Sequence, residues 1–132
     1  MSTAPYTVVN LKDVDDAAPR FGLAPNLESR FARGALGLEH AGLSYFRLAP
    51  GFRQPFGHRH ARQEEVYLVV SGSVRMKVDD EILELRGWDA VRVAPATVRC
   101  PEGGPNGAEI VVFGAPAQET SDVELLRGWW SD

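Results

Sequence analysis

The chain has 132 residues, 44% of them hydrophobic and 24% charged, which is enough for one domain with its own core and too few for two. A formal net charge of −4 speaks against a nucleic-acid surface, which needs a basic patch, and the single cysteine, Cys100, excludes an intrachain disulfide framework. The start, Met1-Ser2-Thr3-Ala4-Pro5-Tyr6, lacks the charged head and apolar core of a signal peptide, and no apolar run approaches the ~20 residues of a membrane span, so a soluble cytoplasmic protein is expected.

Short strands separated by turn signals run through the chain, the pattern of a sandwich or barrel. Thr7–Leu11 is the first candidate strand, followed by a polar loop over Asp13–Pro19. Pro25-Asn26 breaks the chain before Leu27–Arg33, which reads as a strand or a helical turn. His40 follows Leu38-Glu39 and reads as a surface or satisfied core histidine. Leu43–Leu48 alternates apolar and polar residues and stops at the turn dipeptide Pro50-Gly51.

The most informative stretch comes next. His58 and His60 stand two apart, so on an extended chain their imidazoles project from one face and can grip one ion. Glu65 heads the apolar run Val66–Val70, a buried strand bounded by the turn residues Ser71-Gly72-Ser73, and a neighbouring strand can bring its carboxylate beside the two histidines. Two imidazoles and a carboxylate suit zinc, iron, manganese, nickel or cobalt, with iron favoured when positions stay open to substrate and oxygen. The competing reading makes them loop histidines among Arg53, Arg59 and Arg62, with Glu64-Glu65 a solvated pair.

Val74–Val78 and Glu81–Leu85, joined by Asp79-Asp80, read as a β-hairpin, with Met76 in the core. Ala90–Val93 and Glu109–Phe113 supply two more strands, and Pro101–Gly107 a loop between them. Ser121-x-x-Glu124 resembles a capping box opening a short helix from Asp122 to Arg127, ended by Gly128. Trp129 and Trp130 must bury their rings on the barrel wall, in a partner subunit or over the mouth, with wall or partner packing ranked first. Tyr45, Phe46, Tyr67, Trp88 and Phe113 are aromatic candidates for the interior. Tyr67 leads them because it shares the face of Glu65.

The spacing His58-x-His60, four residues, Glu65, six residues, Gly72 resembles the first motif of the cupin superfamily, with Gly51 one residue further upstream than the pattern has it. The resemblance implies an all-β jelly-roll barrel, here with a short C-terminal helix. It implies one domain over 1–132: an N-terminal arm and strands over 1–42, a core barrel over 43–114 and a C-terminal extension over 115–132. It also implies that His58, His60 and Glu65 ligate a divalent metal (iron, manganese, zinc or nickel), and it favours a homodimer.

The second cupin motif normally supplies a fourth ligand, a histidine, but the stretch Gly87–Cys100 contains none. Either Arg99 or Cys100 stands at that position. Ala96-Thr97-x-Arg99 is similar to the Gly-Thr-x-His of relatives, which favours Arg99. A guanidinium cannot ligate a metal, so Arg99 either pairs with Glu65 in a metal-free barrel or clamps an anionic group of a substrate beside a three-ligand ion. A Cys100 thiolate would favour a softer metal such as zinc.

Two functions follow. One is a metal-dependent enzyme, dioxygenase- or isomerase-like, acting on a small anionic or polyhydroxy molecule bound by Arg99 and Tyr67. The other is a non-catalytic binding or sensing cupin whose metal is weak or absent. No nucleic-acid or membrane partner is expected.

Overall fold

A computed structural model describes residues 4–132; Met1 to Thr3, half of the segment read above for a signal peptide, lie outside the described residues. Eight strands form one curled sheet: β1 (Leu27–Phe31), β2 (Gly42–Leu48), β3 (Phe56–His60), β4 (Glu64–Val78), β5 (Glu81–Arg86), β6 (Ala90–Val93), β7 (Arg99–Ala115) and β8 (Val123–Arg127). All pairings are antiparallel, in the order β1-β2-β7-β3-β8, while β4 pairs with β5, β6 and β7. This is the expected jelly-roll barrel. No helix among the described residues is long and apolar enough to cross a membrane.

Period-two alternation aims one face of each strand inward. Leu27, Leu48, Tyr67, Val69, Val74, Met76, Val93, Ile110 and Val112 meet there as the core, so Met76 packs as expected. Phe46 lies against the same cluster. Tyr45 and Phe113, one residue out of phase with Phe46 and Val112, occupy the opposite sheet face, and Trp88 stands 74% exposed on the β5–β6 turn, so these three do not line the interior.

Several local expectations change. Thr7–Leu11 joins no sheet ladder: its side chains are mostly exposed, leaving no face to bury, and Asn10 instead caps a 3-10 turn over Leu11–Asp13 by accepting from Lys12 N–H at 2.9 Å. Leu27–Phe31 resolves as strand, with a one-turn helix α1 (Arg33–Leu36) after it, and part of the polar Asp13–Pro19 segment enters a 3-10 turn at Ala18–Phe21.

The turn expected at Ser71-Gly72-Ser73 and the loop at Pro101–Gly107 both lie inside long strands, β4 and β7, which pair through them with irregularities between Val69 and Ser71 and between Gly72 and Val74. Glycine is used there for closeness. Gly72 adopts φ +72°, and a Cβ on it would fall 2.0 Å from the Gly107 carbonyl oxygen. A Cβ on Gly104 would fall 2.0 Å from Ser73 Oγ.

The expected C-terminal helix is also absent. Residues 120–122 form a single 3-10 turn, and Val123–Arg127 is the edge strand β8 on β3, registered from His60↔Val123 to Phe56↔Arg127. The tryptophans then pack on the barrel wall. Trp130 is stacked by the Arg53 guanidinium at 4.0 Å with Arg75 at 5.6 Å, while Trp129 lies under the Lys77 ammonium at 4.5 Å and against Gly57.

Candidate metal centre

β3 holds His58 and His60 on one face, as their spacing requires, with the rings edge-to-face and centroids 5.1 Å apart. β4 is not hydrogen-bonded to β3. The turn over residues 61–63 folds the chain back, and Glu65 meets the histidines from another strand of the barrel. Its Oε1 stands 3.2 Å from His58 Nε2 and 3.4 Å from His60 Nε2. One ligand atom from each of the three residues lies within 4.8 Å of the others. Tyr67, two residues along β4, donates its hydroxyl to the same Oε1 at 3.0 Å. His40 is remote in character, an almost fully exposed side chain beside Glu39.

Arg99, not Cys100, faces this cluster. Arg99 is the register partner of His58, and its fully buried side chain brings Nε within 3.9 Å of Glu65 Oε1. That distance is too long for the charge-assisted hydrogen bond expected from the sequence. The guanidinium spends its other donors on backbone carbonyls, Ala94 at 3.1 Å, His58 at 3.4 Å and Pro95 at 3.5 Å, and Nε finds no acceptor. Cys100 belongs elsewhere. Burial pushes its thiol up to about 12, and Sγ faces the Gln54 carbonyl at 3.4 Å, so it is a protonated packing residue and not a thiolate ligand.

The sequence reading missed Asp122. Its Oδ2 meets His60 Nδ1 at 2.8 Å, and its Oδ1 accepts the Arg62 backbone N–H at 2.6 Å. The Ser121-x-x-Glu124 pattern concealed it by suggesting a helix. No spacing rule links residue 122 to residue 60, since only the β3–β8 pairing brings them together.

Burial alone would raise the Glu65 carboxyl, but the imidazoles of His58 and His60 beside it outweigh burial and hold the group well below the usual carboxylate range. Burial also lowers His58 below its usual value, against the pull of Glu65, and holds the Tyr67 phenol far above its own. At neutral pH the centre therefore presents a carboxylate, a neutral His58 and a protonated tyrosine donor.

These residues fit a metal ion. Ligand atoms each roughly 2.0–2.2 Å from one tetrahedral or octahedral ion stand about 3.0–3.5 Å apart, which matches both imidazole-to-carboxylate separations. His60 Nε2 is buried without a hydrogen-bond partner and faces a carboxylate oxygen. In a neutral His60 that gives its proton to Asp122 through Nδ1, two acceptors would confront each other at Nε2 and Oε1, an arrangement that a cation relieves. Imidazoles that ligate metals commonly give their other N–H to a carboxylate in this way. Arg99 completes the surroundings of the cluster as a cation and cannot itself ligate an ion.

The antiparallel jelly-roll barrel of this chain is the cupin fold. No family model and no curated protein matches the chain in sequence. Solved structures do match. A cupin protein from Bacteroides fragilis aligns with a TM-score of 0.71 at 22% identity, covering 86% of each chain. A Streptomyces nucleoside dehydratase aligns with 0.72 at 18% identity, over 96% of this chain and 92% of its own. Oxalate decarboxylase from Bacillus subtilis aligns with 0.76 at 17% identity, covering 94% of this chain but 33% of that longer one.

Proposed function

We propose that the protein is a metal-dependent cupin enzyme that holds a divalent transition ion through His58, His60 and Glu65 and acts, as an isomerase or oxygenase, on a small anionic molecule. The observation that carries this reading is the buried, unpartnered His60 Nε2 facing Glu65 Oε1 with its opposite nitrogen given to Asp122. Structures of the same fold include a sugar phosphate isomerase from Silicibacter pomeroyi and the oxalate decarboxylase, whose substrates are small anions, which supports the class without fixing the reaction.

Charge supports the anion. The two carboxylates and the Arg99 guanidinium leave one negative charge in surplus, and a divalent ion would turn this into one positive charge, which a single anionic group of a ligand cancels. When bound, the ion supplies a Lewis acid that polarises a substrate oxygen, or a redox centre if it is iron or manganese. The chain supplies the rest. Arg99 holds a fixed, fully buried guanidinium whose unpaired N–H sets a positive charge beside Glu65, and Tyr67 keeps Glu65 oriented through its hydroxyl. His58 and Glu65, with side chains 17% and 12% exposed, form the reachable side of the centre, whereas His60 is sealed.

A second reading rests on the Arg99 guanidinium, 3.9 Å from Glu65 and fully buried, which can itself neutralise the carboxylate in a metal-free binding barrel. Elemental analysis separates the two. Protein purified without chelator or nickel resin should carry near-stoichiometric metal that His60→Ala abolishes. Metal in neither protein, even after reconstitution, would refute the enzyme reading and leave the metal-free barrel.

A further inference from the structure

His60 can ligate through Nε2 only if its proton sits on Nδ1, and the surroundings of Asp122 decide that choice. Asp122 is 9% exposed, and both carboxylate oxygens are committed: Oδ2 to His60 Nδ1 at 2.8 Å, Oδ1 to the Arg62 N–H at 2.6 Å, with the Gln63 N–H also contributing. Its main chain is pinned as well, the carbonyl accepting from Ala61 N–H at 2.7 Å and the N–H donating to the Glu119 carbonyl at 2.9 Å. An ionised carboxylate accepts and cannot donate, so the atom facing it on His60 must be N–H. In the neutral imidazole the lone pair is then left on Nε2, turned toward Glu65.

We propose that Asp122 is a positioning residue that locks His60 in the Nδ1–H tautomer and so presents the Nε2 lone pair to the barrel interior. Its consequence for metal affinity rests on the metal reading given above; the tautomer lock does not.

Asp122→Asn tests the lock because it changes proton logic with almost no change of shape. Asparagine offers one acceptor where two are in use. If its carbonyl stays on the Arg62 N–H, its amide NH2 faces Nδ1, which must then accept, and the proton moves to Nε2. The same logic underlies the loss caused by an Asp-to-Asn change behind a catalytic histidine in serine proteases.

The experiment records imidazole 15N spectra of metal-free protein at neutral pH, with His60 identified by the signals lost in His60→Ala, and titrates cobalt(II) by its visible absorption. Wild type should show the Nδ1–H tautomer, and Asp122→Asn the Nε2–H tautomer with cobalt affinity lowered about 10- to 100-fold. Asp122→Glu restores an acceptor-only carboxylate, and the adjoining surface cleft of about 60 Å³ beside Ala61, Arg62 and Pro116 gives room for the extra methylene, so the Nδ1–H tautomer should return. A wild-type His60 found as Nε2–H or as imidazolium would overturn the proposal, and so would an unchanged tautomer in Asp122→Asn. A tautomer that switches in protein that binds no cobalt would uphold the lock and overturn the metal reading instead.

Discussion

Arg99→Met is the perturbation that most directly weighs the buried charge at the heart of the barrel. The wild-type guanidinium lies 3.9 Å from Glu65 Oε1 and bonds backbone carbonyls of Ala94, His58 and Pro95. At an effective dielectric of about 20, opposite unit charges at that separation attract by about 4 kcal/mol. Only the 3.1 Å bond to Ala94 is short enough to add much, about 1.5–3 kcal/mol as a charged hydrogen bond. Methionine fills much of the same channel. What remains is a buried carboxylate that keeps the Tyr67 hydroxyl and the two imidazoles but loses its full cation, and breaking such a pair from one side costs up to about 3–5 kcal/mol.

Urea unfolding in chelator, so that bound metal adds no stability, should show this loss as a midpoint lowered by about 2 M at an unchanged slope. The mechanism needs a cycle to prove it. Glu65→Gln should cost stability in wild type, yet cost less or give stability back in Arg99→Met, with a coupling of about 1–3 kcal/mol. Additivity to within about 0.5 kcal/mol would refute the electrostatic reasoning and leave Arg99 as a brace for carbonyls alone.

Three further outcomes follow from the same structure. Stability should fall on acidification: His58 and Glu65 both have folded values below their ordinary 6.5 and 4.5, so each contributes stability present above that value and lost as pH falls toward the folded one. Urea midpoints measured across this range should decline first below pH 6.5 and more steeply below 4.5, and Glu65→Gln should flatten the lower limb; a parallel curve for that variant would contradict the assignment. Gly72→Ala should cost more than about 3 kcal/mol, and about 10 °C in melting temperature, since left-handed strain of about 1–2 kcal/mol adds to a Cβ placed 2.0 Å from the Gly107 oxygen. Trp130→Ala should cost about 2–4 kcal/mol in chemical denaturation by removing a 7% exposed ring stacked by Arg53, and a loss under 1 kcal/mol would mean the C-terminal segment adds little to the wall.

The barrel was legible wherever a strand carries its own alternation. Leu43–Leu48, Val74–Val78, Glu81–Leu85 and Ala90–Val93 all fall within strands, because each sets apolar residues against the core and charges against water. The run from Pro101 to Gly107 defeated that reading for a tertiary reason. Gly103 and Gly104 are there because the Ala49 carbonyl and Ser73 lie where side chains would go, so the residues that signal a loop in sequence mark a close crossing of strands in space. Ser71-Gly72 misled in the same way from the other strand.

The same distinction governs the site. Two ligands two residues apart on one strand, and a third just past the turn, form a local pattern. Arg99 could be placed because it sits where a motif residue is missing. Asp122 could not, since its relation to His60 exists only once β8 pairs with β3 and His60↔Val123 fixes the register. Val123-Glu124-Leu125-Leu126-Arg127 has no strong intrinsic preference. Read alone after Ser121 it suggests a helix, yet beside the unpaired edge of β3 it gains a ladder of backbone hydrogen bonds that a one-and-a-half-turn helix in water cannot match. The choice of strand over helix therefore does more than close the barrel: a helix starting at Asp122 would turn its carboxylate toward its own N-terminal N–H groups, whereas the strand leaves it free to hold the His60 proton.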